Sequence, residues 1–230
     1  MKYNLISVES DHKTSKGTSF GYLTGILYLA PANISGFEVC PSRSAGCTAA
    51  CLFTSGNGNY PKVRSARIRK TQLLFSNRDA FLTMLECDIM NLIVEAKIRN
   101  LVPCVRLNGT SDIGWEGIAK DLMHKYPEIK FYDYTKVLSR MLRFLQGKFP
   151  PNYHLTFSKS ESNDDDVAKV LKAGGNVAVV FKKVPETYKD CKVIDGDLND
   201  LRFLDGTNVV VGLKAKGKAR IDTSGFVVTV

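Results

Sequence analysis

The segment "GYLTGILYLAP", residues 21–31, decides the fold class. It is a continuous apolar run with aromatic and β-branched residues, and it is bounded by a glycine and a proline. Runs of this kind are typical of strands that are buried on both faces. The segment therefore predicts a buried core strand.

Downstream of this strand, strand patterns alternate with helix patterns. Five further strands are predicted, at residues 103–109, 129–134, 153–158, 176–183 and 208–216. Such alternation implies parallel strands joined by right-handed crossovers, in a sheet that is either doubly wound or curved into a barrel. Six units are fewer than the eight of a closed barrel. We expect an α/β fold, a partial (β/α)6 TIM-like barrel of mainly parallel strands, formed as one domain by residues 1–230.

Start signals and hydrophobic spacing define the helices before the second core strand. Pro61 is expected to open a helix that ends near Phe75, and Asn77 is expected to cap another that ends near Asn100. In the second helix, apolar residues recur at three- and four-residue steps and predict a core-facing stripe. An additional N-terminal strand is expected at residues 4–9.

Composition places the chain among ordinary globular proteins. Of its 230 residues, 44% are hydrophobic and 24% are charged, which excludes a disordered or fibrous chain. No apolar run approaches the roughly 18 residues of a membrane-spanning helix, and the N-terminus lacks the apolar core of a signal peptide. We expect a cytoplasmic protein without a membrane partner, located in the host cytoplasm if it is phage-encoded.

Positive charge is concentrated in one segment. The net charge is +9, and the residues between Glu38 and Asp79 include seven basic and no acidic side chains. Such a patch can bind nucleic acid, and the residues that would do so are Arg64, Arg67, Arg69 and Lys70. It can equally balance an anionic metal cluster or a substrate phosphate, or it can be a solvated helix face.

Three cysteines, Cys40, Cys47 and Cys51, follow the first core strand with the spacing C-x6-C-x3-C. In a reducing compartment, clustered thiols bind metal more often than they form disulfides. Structural zinc takes four ligands, and no second short-spaced pair of cysteines or histidines is present. A [4Fe–4S] cluster with three thiolate ligands and one open iron fits better, while zinc and free buried thiols remain alternatives. The other cysteines are scattered, and whether one of them supplies a fourth ligand is left open; they are Cys87, Cys104 and Cys191.

Polar residues follow the later strands, where ligands gather in parallel α/β folds. The candidates for binding a small-molecule cofactor are Asn108, Thr110, Ser111, Asp112, Lys136 and Ser158. The structural alternative is that Ser111 or Asp112 caps the helix at Trp115 and that the others are ordinary loop residues.

Four motifs carry a resemblance over about residues 20–215. "CPSRSAGCTAACLFTSGNG", "VRLNGTSDIGWE", "FYDYTK" and "HLTFSKSESN" resemble, in this order, the phage and plasmid family called gene product 88. More distantly, six β/α units with three cysteines after the first strand look like the radical S-adenosylmethionine (SAM) superfamily. Members of that superfamily usually space the cysteines more closely and have an aromatic residue before the last one, where this chain has Ala50.

The second resemblance implies a function. It implies that the open iron of the cluster binds SAM, that cluster reduction cleaves SAM to a 5′-deoxyadenosyl radical, and that this radical attacks an unknown substrate. It also implies that the SAM methionine amino group and ribose are contacted by Asn108, Thr110, Ser111 and Asp112. Lys136 and Ser158 would meet the SAM carboxylate or the substrate. The alternative function is a metal-containing nucleic-acid-binding protein of phage replication or host takeover, without SAM chemistry.

Overall fold

The computed structural model describes residues 3–9, 15–54 and 56–230. It has a mixed α/β architecture built on one nine-stranded sheet. The strands are β1 (Ile6–Val8), β2 (Tyr22–Leu27), β3 (Val102–Arg106), β4 (Lys130–Thr135), β5 (Tyr153–Ser158), β6 (Val177–Phe181), β7 (Thr187–Tyr188), β8 (Cys191–Asp195) and β9 (Val210–Lys214).

The sheet is mostly parallel. Its order is β1-β2-β3-β4-β5-β6-β9-β8-β7, and every neighbouring pair from β2 to β8 is parallel, whereas β1 and β7 pair antiparallel at the two edges. All six predicted core strands are present, which confirms a mixed α/β fold with mainly parallel strands.

The edges of the sheet do not meet. The strand order of the described residues begins at β1 and ends at β7, so the sheet is not closed. The description as a partial barrel stays a prediction.

Helices connect the parallel strands. They are α1 (Ala32–Ser35), α2 (Ala45–Ala49), α3 (Pro61–Ser76), α4 (Arg78–Ile98), α5 (Trp115–Ile118), α6 (Lys120–Lys125), α7 (Leu138–Leu145) and α8 (Asp164–Lys172). The predicted starts of α3 and α4 are confirmed: Pro61 is the first residue of α3, and the Asn77 side chain accepts a hydrogen bond from Ala80 N. The helix expected after β3 is divided into α5 and α6 at Ala119.

The main apolar core lies between the sheet and these helices. The predicted stripe of α4 is fully buried at Phe81, Leu85, Ile89, Leu92 and Ala96, and it packs in one cluster with sheet residues. Consecutive strands from β2 to β6 are neighbours, and right-handed crossovers between such strands place their helices on the same side. The opposite side of the sheet is therefore free to receive other segments.

One such segment lies between β8 and β9. Asp200 accepts hydrogen bonds from Arg106 Nη1 at 2.8 Å, from Tyr132 Oη at 3.3 Å and from Tyr134 Oη at 3.2 Å. Leu201 is buried with Tyr132 in a second, smaller apolar cluster. This segment covers part of the sheet and leaves a cavity next to it.

Within the described residues, no helix combines the length and the apolar character that crossing a membrane requires.

Candidate functional site

The three clustered cysteines lie between β2 and α3, beyond the carboxyl end of β2. Cys40 precedes a turn, Cys47 is in α2, and Cys51 follows that helix. Ser44 caps α2, since its side chain accepts a hydrogen bond from Cys47 N at 3.2 Å. The short helix therefore separates Cys40, which precedes it, from Cys51, which follows it, with Cys47 in the helix itself.

None of the three cysteines is in a disulfide, and all three are half-buried. Burial raises the pKa of the Cys40 thiol to about 12, and charges on Asp112, Cys47 and Cys51 raise it further, whereas Lys136 opposes this. All three thiols belong to one segment of twelve residues, 40–51.

Burial also raises the pKa of Cys51. A hydrogen bond to the Phe53 backbone and the charges of Lys136 and Arg67 oppose that rise, and Cys47 adds to it. A thiol of raised pKa is protonated at neutral pH, so a metal that bound here would have to displace the protons.

Contacts from two other loops hold the cysteine segment. Glu161, after β5, accepts hydrogen bonds from Ser44 Oγ and Gly46 N, both at 2.7 Å. Desolvation raises the pKa of Glu161, but these hydrogen bonds outweigh it, and the net shift is downward. The Cys40 thiol contacts Thr110 O at 3.8 Å, and Asp112 N donates to Val39 O at 2.7 Å.

The C-terminal segment closes over α2. A Cβ atom at Gly46 would lie 2.3 Å from Ser224 Oγ and 2.7 Å from Phe226 Cβ. Only glycine therefore permits this close approach. Lys136 lies over the ring of Phe226, with Nζ 5.9 Å from the ring centroid.

The predicted cofactor residues after β3 form an internal network. Asn108 is buried, and its Oδ1 accepts hydrogen bonds from Ser111 Oγ, Ile113 N and Trp115 Nε1. Thr110 Oγ1 donates to Leu29 O at 2.6 Å. These hydrogen bonds fix the loop, and the N-cap position of α5 is Gly114, so neither Ser111 nor Asp112 caps that helix.

Asp112 and Lys136 lie beside the cysteines. Asp112 accepts hydrogen bonds from Lys136 N at 2.8 Å and from Arg140 Nη1 at 2.6 Å. Arg140 also forms a two-pronged ion pair with Glu116, at 2.9 and 2.8 Å. Ser158, the sixth predicted cofactor residue, is half-buried, and its carbonyl accepts from Asn163 Nδ2 at 3.0 Å.

No metal-holding geometry is present in the part of the chain that the structure describes: there is no group of three or more His, Cys, Asp or Glu that could hold an ion. Of the remaining cysteines, Cys104 is buried on β3 with its sulfur 3.1 Å from Thr24 Oγ1. Cys87 is exposed on α4, and Cys191 begins β8. The roles predicted for Cys40, Cys47 and Cys51 stay predictions.

The four basic residues predicted for nucleic-acid binding do not share one exposed face. Arg64 and Arg69 are exposed on α3. Arg67 is only 7% exposed, and Lys70 is half-buried with its amine on Leu5 O. Arg67 and Lys70 line a cavity of about 400 Å³ between α3 and the ends of β2 and β3.

Sequence patterns did not indicate some residues that shape this site. Arg140 lies in a predicted helix with ordinary spacing, and Asp200 lies in a polar stretch, so no local signal separates either from a surface residue. Glu161 was visible only as one polar residue after a strand. The side-chain partners of Arg140, Asp200 and Glu161 lie more than 20 positions away in the chain. The exceptions are Thr135 and Tyr153, which contact Arg140.

The fold and this site define a class: an open, mainly parallel α/β protein that carries three free cysteines beyond its first core strand. The chain belongs to the gene product 88 family, whose profile matches residues 4–230. No curated protein and no solved structure matches the chain.

Proposed function

We propose that this protein is an iron–sulfur protein in which Cys40, Cys47 and Cys51 hold a [4Fe–4S] cluster. The observation that carries the proposal is the presence of three half-buried cysteines, none of them in a disulfide, in one short segment that contacts from other loops hold in place. Thiolates are the ligands that such clusters take, and three of them leave one iron open. Binding requires the three side chains to converge further than they do in the free protein.

The positively charged side chains near the cysteines favour an anionic cluster in this loop. The charges of Lys136 and Arg67 both oppose the rise in the pKa of Cys51, and the charge of Lys136 also opposes the rise in the pKa of Cys40. Positive charges near the thiols lower the free-energy cost of bringing several thiolates together. The loop is also held from several sides, by Glu161, Thr110 and Asp112, which favours a defined arrangement of ligands.

We further propose radical-SAM-like chemistry on a partial-barrel scaffold, directed at a substrate of unknown identity. A bound cluster of this type supplies the electron that cleaves SAM at the open iron. Lys136 is the residue best placed for the SAM carboxylate, because its amine lies close enough to the thiols to act on their protonation. Asn108, Thr110 and Ser111 would orient that loop rather than bind SAM through their side chains, since these are already hydrogen-bonded internally.

Three single variants test the cluster: Cys40→Ser, Cys47→Ser and Cys51→Ser. After anaerobic purification, the unchanged protein is expected to contain about four iron and four sulfide ions per chain, and each variant is expected to lose most of them. Cys87→Ser is the matched control, because Cys87 is exposed on α4. Zinc in place of iron, or equal iron in all four variants, would contradict the proposal.

The alternative, a nucleic-acid-binding protein in which metal only shapes the loop, has less support. Two of its four basic residues, Arg67 and Lys70, face the cavity instead of solvent. It predicts salt-dependent affinity for nucleic acid and no response to SAM.

A further inference from the structure

The cavity between α3 and the sheet has properties that the proposed cluster does not use. Its volume of about 400 Å³ is in the range of small-molecule sites. It is lined by apolar side chains, such as Ile26 and Val63, and by three cations: Arg67, Lys70 and Arg106. Its polar groups therefore converge from α3 and from β3.

Only one of these cations is paired with a carboxylate that lines the cavity. Arg106 donates to Asp200 at 2.8 Å and lies over the ring of Tyr134, 4.6 Å from its centroid. Asp200 is itself only 3% exposed. This pair is neutral as a whole, so Arg67 and Lys70 determine the charge of the cavity.

Arg67 is buried and has no carboxylate partner among the residues that the structure describes. Its Nη1 donates to Phe53 O at 3.1 Å, and its guanidinium lies over Tyr28, 4.6 Å from the ring centroid. Its Nε is buried without a hydrogen-bond partner. A buried cation without an opposite charge is costly, and an oxyanion held against the guanidinium would offset that cost.

Glycine at position 58 keeps Arg67 in place. A Cβ atom there would lie 2.2 Å from Phe53 O and 2.9 Å from Arg67 Nη1. Any larger residue would displace the guanidinium or the carbonyl that holds it. The arginine is therefore fixed before a ligand arrives, which lowers the entropic cost of binding.

Lys70 lies one helical turn beyond Arg67 on the same face of α3. Its Nζ donates to Leu5 O at 2.5 Å, which leaves two further N–H donors. Burial lowers the pKa of Lys70 to about 8, and the charge of Asp88 opposes that fall. The Asp88 oxygens themselves accept hydrogen bonds from the backbone amides of Leu5 and Ile6. Neither Arg67 nor Lys70 forms an ion pair with a residue that the structure describes, and two neighbouring cations match a dianion better than a monoanion.

We propose that this cavity binds a small molecule through a phosphate monoester, held between Arg67 and Lys70. The site stands apart from the cluster, because none of its anion-binding groups is a cysteine. A nucleic-acid backbone offers only phosphodiesters, which carry one negative charge each, and it is therefore the less suitable source of phosphate.

The test uses inorganic phosphate as the probe, with ³¹P line broadening and calorimetry on the full chain at constant ionic strength. Phosphate is expected to bind, and Arg67→Gln and Lys70→Gln are each expected to weaken binding about tenfold or more. Arg69→Gln is the matched control, because Arg69 is exposed on the same helix and does not line the cavity. Acetate, a monoanion, is expected to bind more weakly than phosphate.

Several results would overturn the site. The proposal is contradicted if phosphate does not bind, if all variants bind it with equal affinity, or if acetate binds as tightly as phosphate. It is also contradicted if an oligonucleotide without a terminal phosphate binds through Arg67 and phosphate does not displace it. Lys70→Gln decides the outcome if Arg67→Gln fails to fold. Iron measured on Lys70→Gln separates the two proposals, since Lys70 is not among the charges that influence the cysteine thiols and this variant is expected to retain the cluster.

Discussion

The carboxyl group of Asp133 is buried on the helix-facing side of β4. Burial raises the pKa of Asp133 to about 7; hydrogen bonds from Asn108 N and Tyr153 Oη, and the charges of Arg106 and Arg140, counter only part of that rise. The Asn108 contact joins this carboxyl to the loop after β3. Its protonation therefore bears on the stability of that loop.

The raised pKa of Asp133 predicts a pH dependence of stability. In the unfolded chain the carboxyl titrates near pH 4, so between about pH 4 and 7 the folded state retains a proton that the unfolded state has lost. This contribution to the free energy of unfolding is full below that window and falls by roughly 1 kcal/mol per pH unit as the pH rises through it. Asp133→Asn is expected to remove the fall.

Urea unfolding of both proteins at several pH values in this window measures the difference. The free energy of unfolding of Asp133→Asn, relative to the unchanged protein, should increase with pH. His154, whose pKa burial lowers to about 4, titrates in the opposite sense but is common to both proteins. Parallel pH profiles would contradict the assignment.

At the scale of elements, local sequence patterns predicted the core strands and the helix starts that depend on neighbouring residues. The apolar run at residues 21–31 contains β2, and the start signals at Pro61 and Asn77 fall where α3 and α4 begin. The strands β7 and β8 were not predicted. β7 has only two residues, and β8 contains lysine and aspartate; β8 pairs in parallel with β9, and β7 pairs with β8. This pairing joins two separate segments of the chain, so a pattern within either segment does not indicate it.

The close contact between β2 and the loop after β3 gives a prediction at this scale. A Cβ atom at Gly109 would lie 2.6 Å from Ile26 Cγ2 and 2.8 Å from Leu27 O. Because the second atom is backbone, Gly109→Ala is expected to lower the free energy of unfolding by about 1–3 kcal/mol.

Gly117→Ala is the matched control for that variant. Nothing lies within 4 Å of a Cβ atom at Gly117, which is in α5. Alanine in a helix is favoured over glycine, so this variant should be neutral or stabilising by up to about 1 kcal/mol. Thermal or urea unfolding compares the two, and equal effects would contradict the close packing at Gly109.

At the scale of the whole molecule, the parallel sheet explains why the cysteines and polar loops meet. The carboxyl ends of parallel strands share one edge, so residues after β2, β3, β4 and β5 converge although up to about 120 positions separate them. The sequence predicted this convergence for Cys40, Asp112 and Lys136. It did not predict which side chains are already used within the protein, as Asn108 is, because that depends on atomic contacts between loops.

The arrangement of segments around the sheet also explains the neighbouring cavity. The segment that carries Asp200 covers only part of the sheet, and α3 closes the remaining space with Arg67 and Lys70. The proposed cluster and the proposed phosphate site would then lie on either side of Arg67, which acts on Cys51 and lines the cavity.

The most direct test of the central claim is electron paramagnetic resonance of the anaerobically purified, reduced protein, recorded without and with SAM. We predict the signal of a reduced [4Fe–4S] cluster that changes when SAM is added, because SAM binds an iron that has no protein ligand. A cluster signal that SAM leaves unchanged would contradict the open iron, and the absence of any iron signal would contradict the cluster itself.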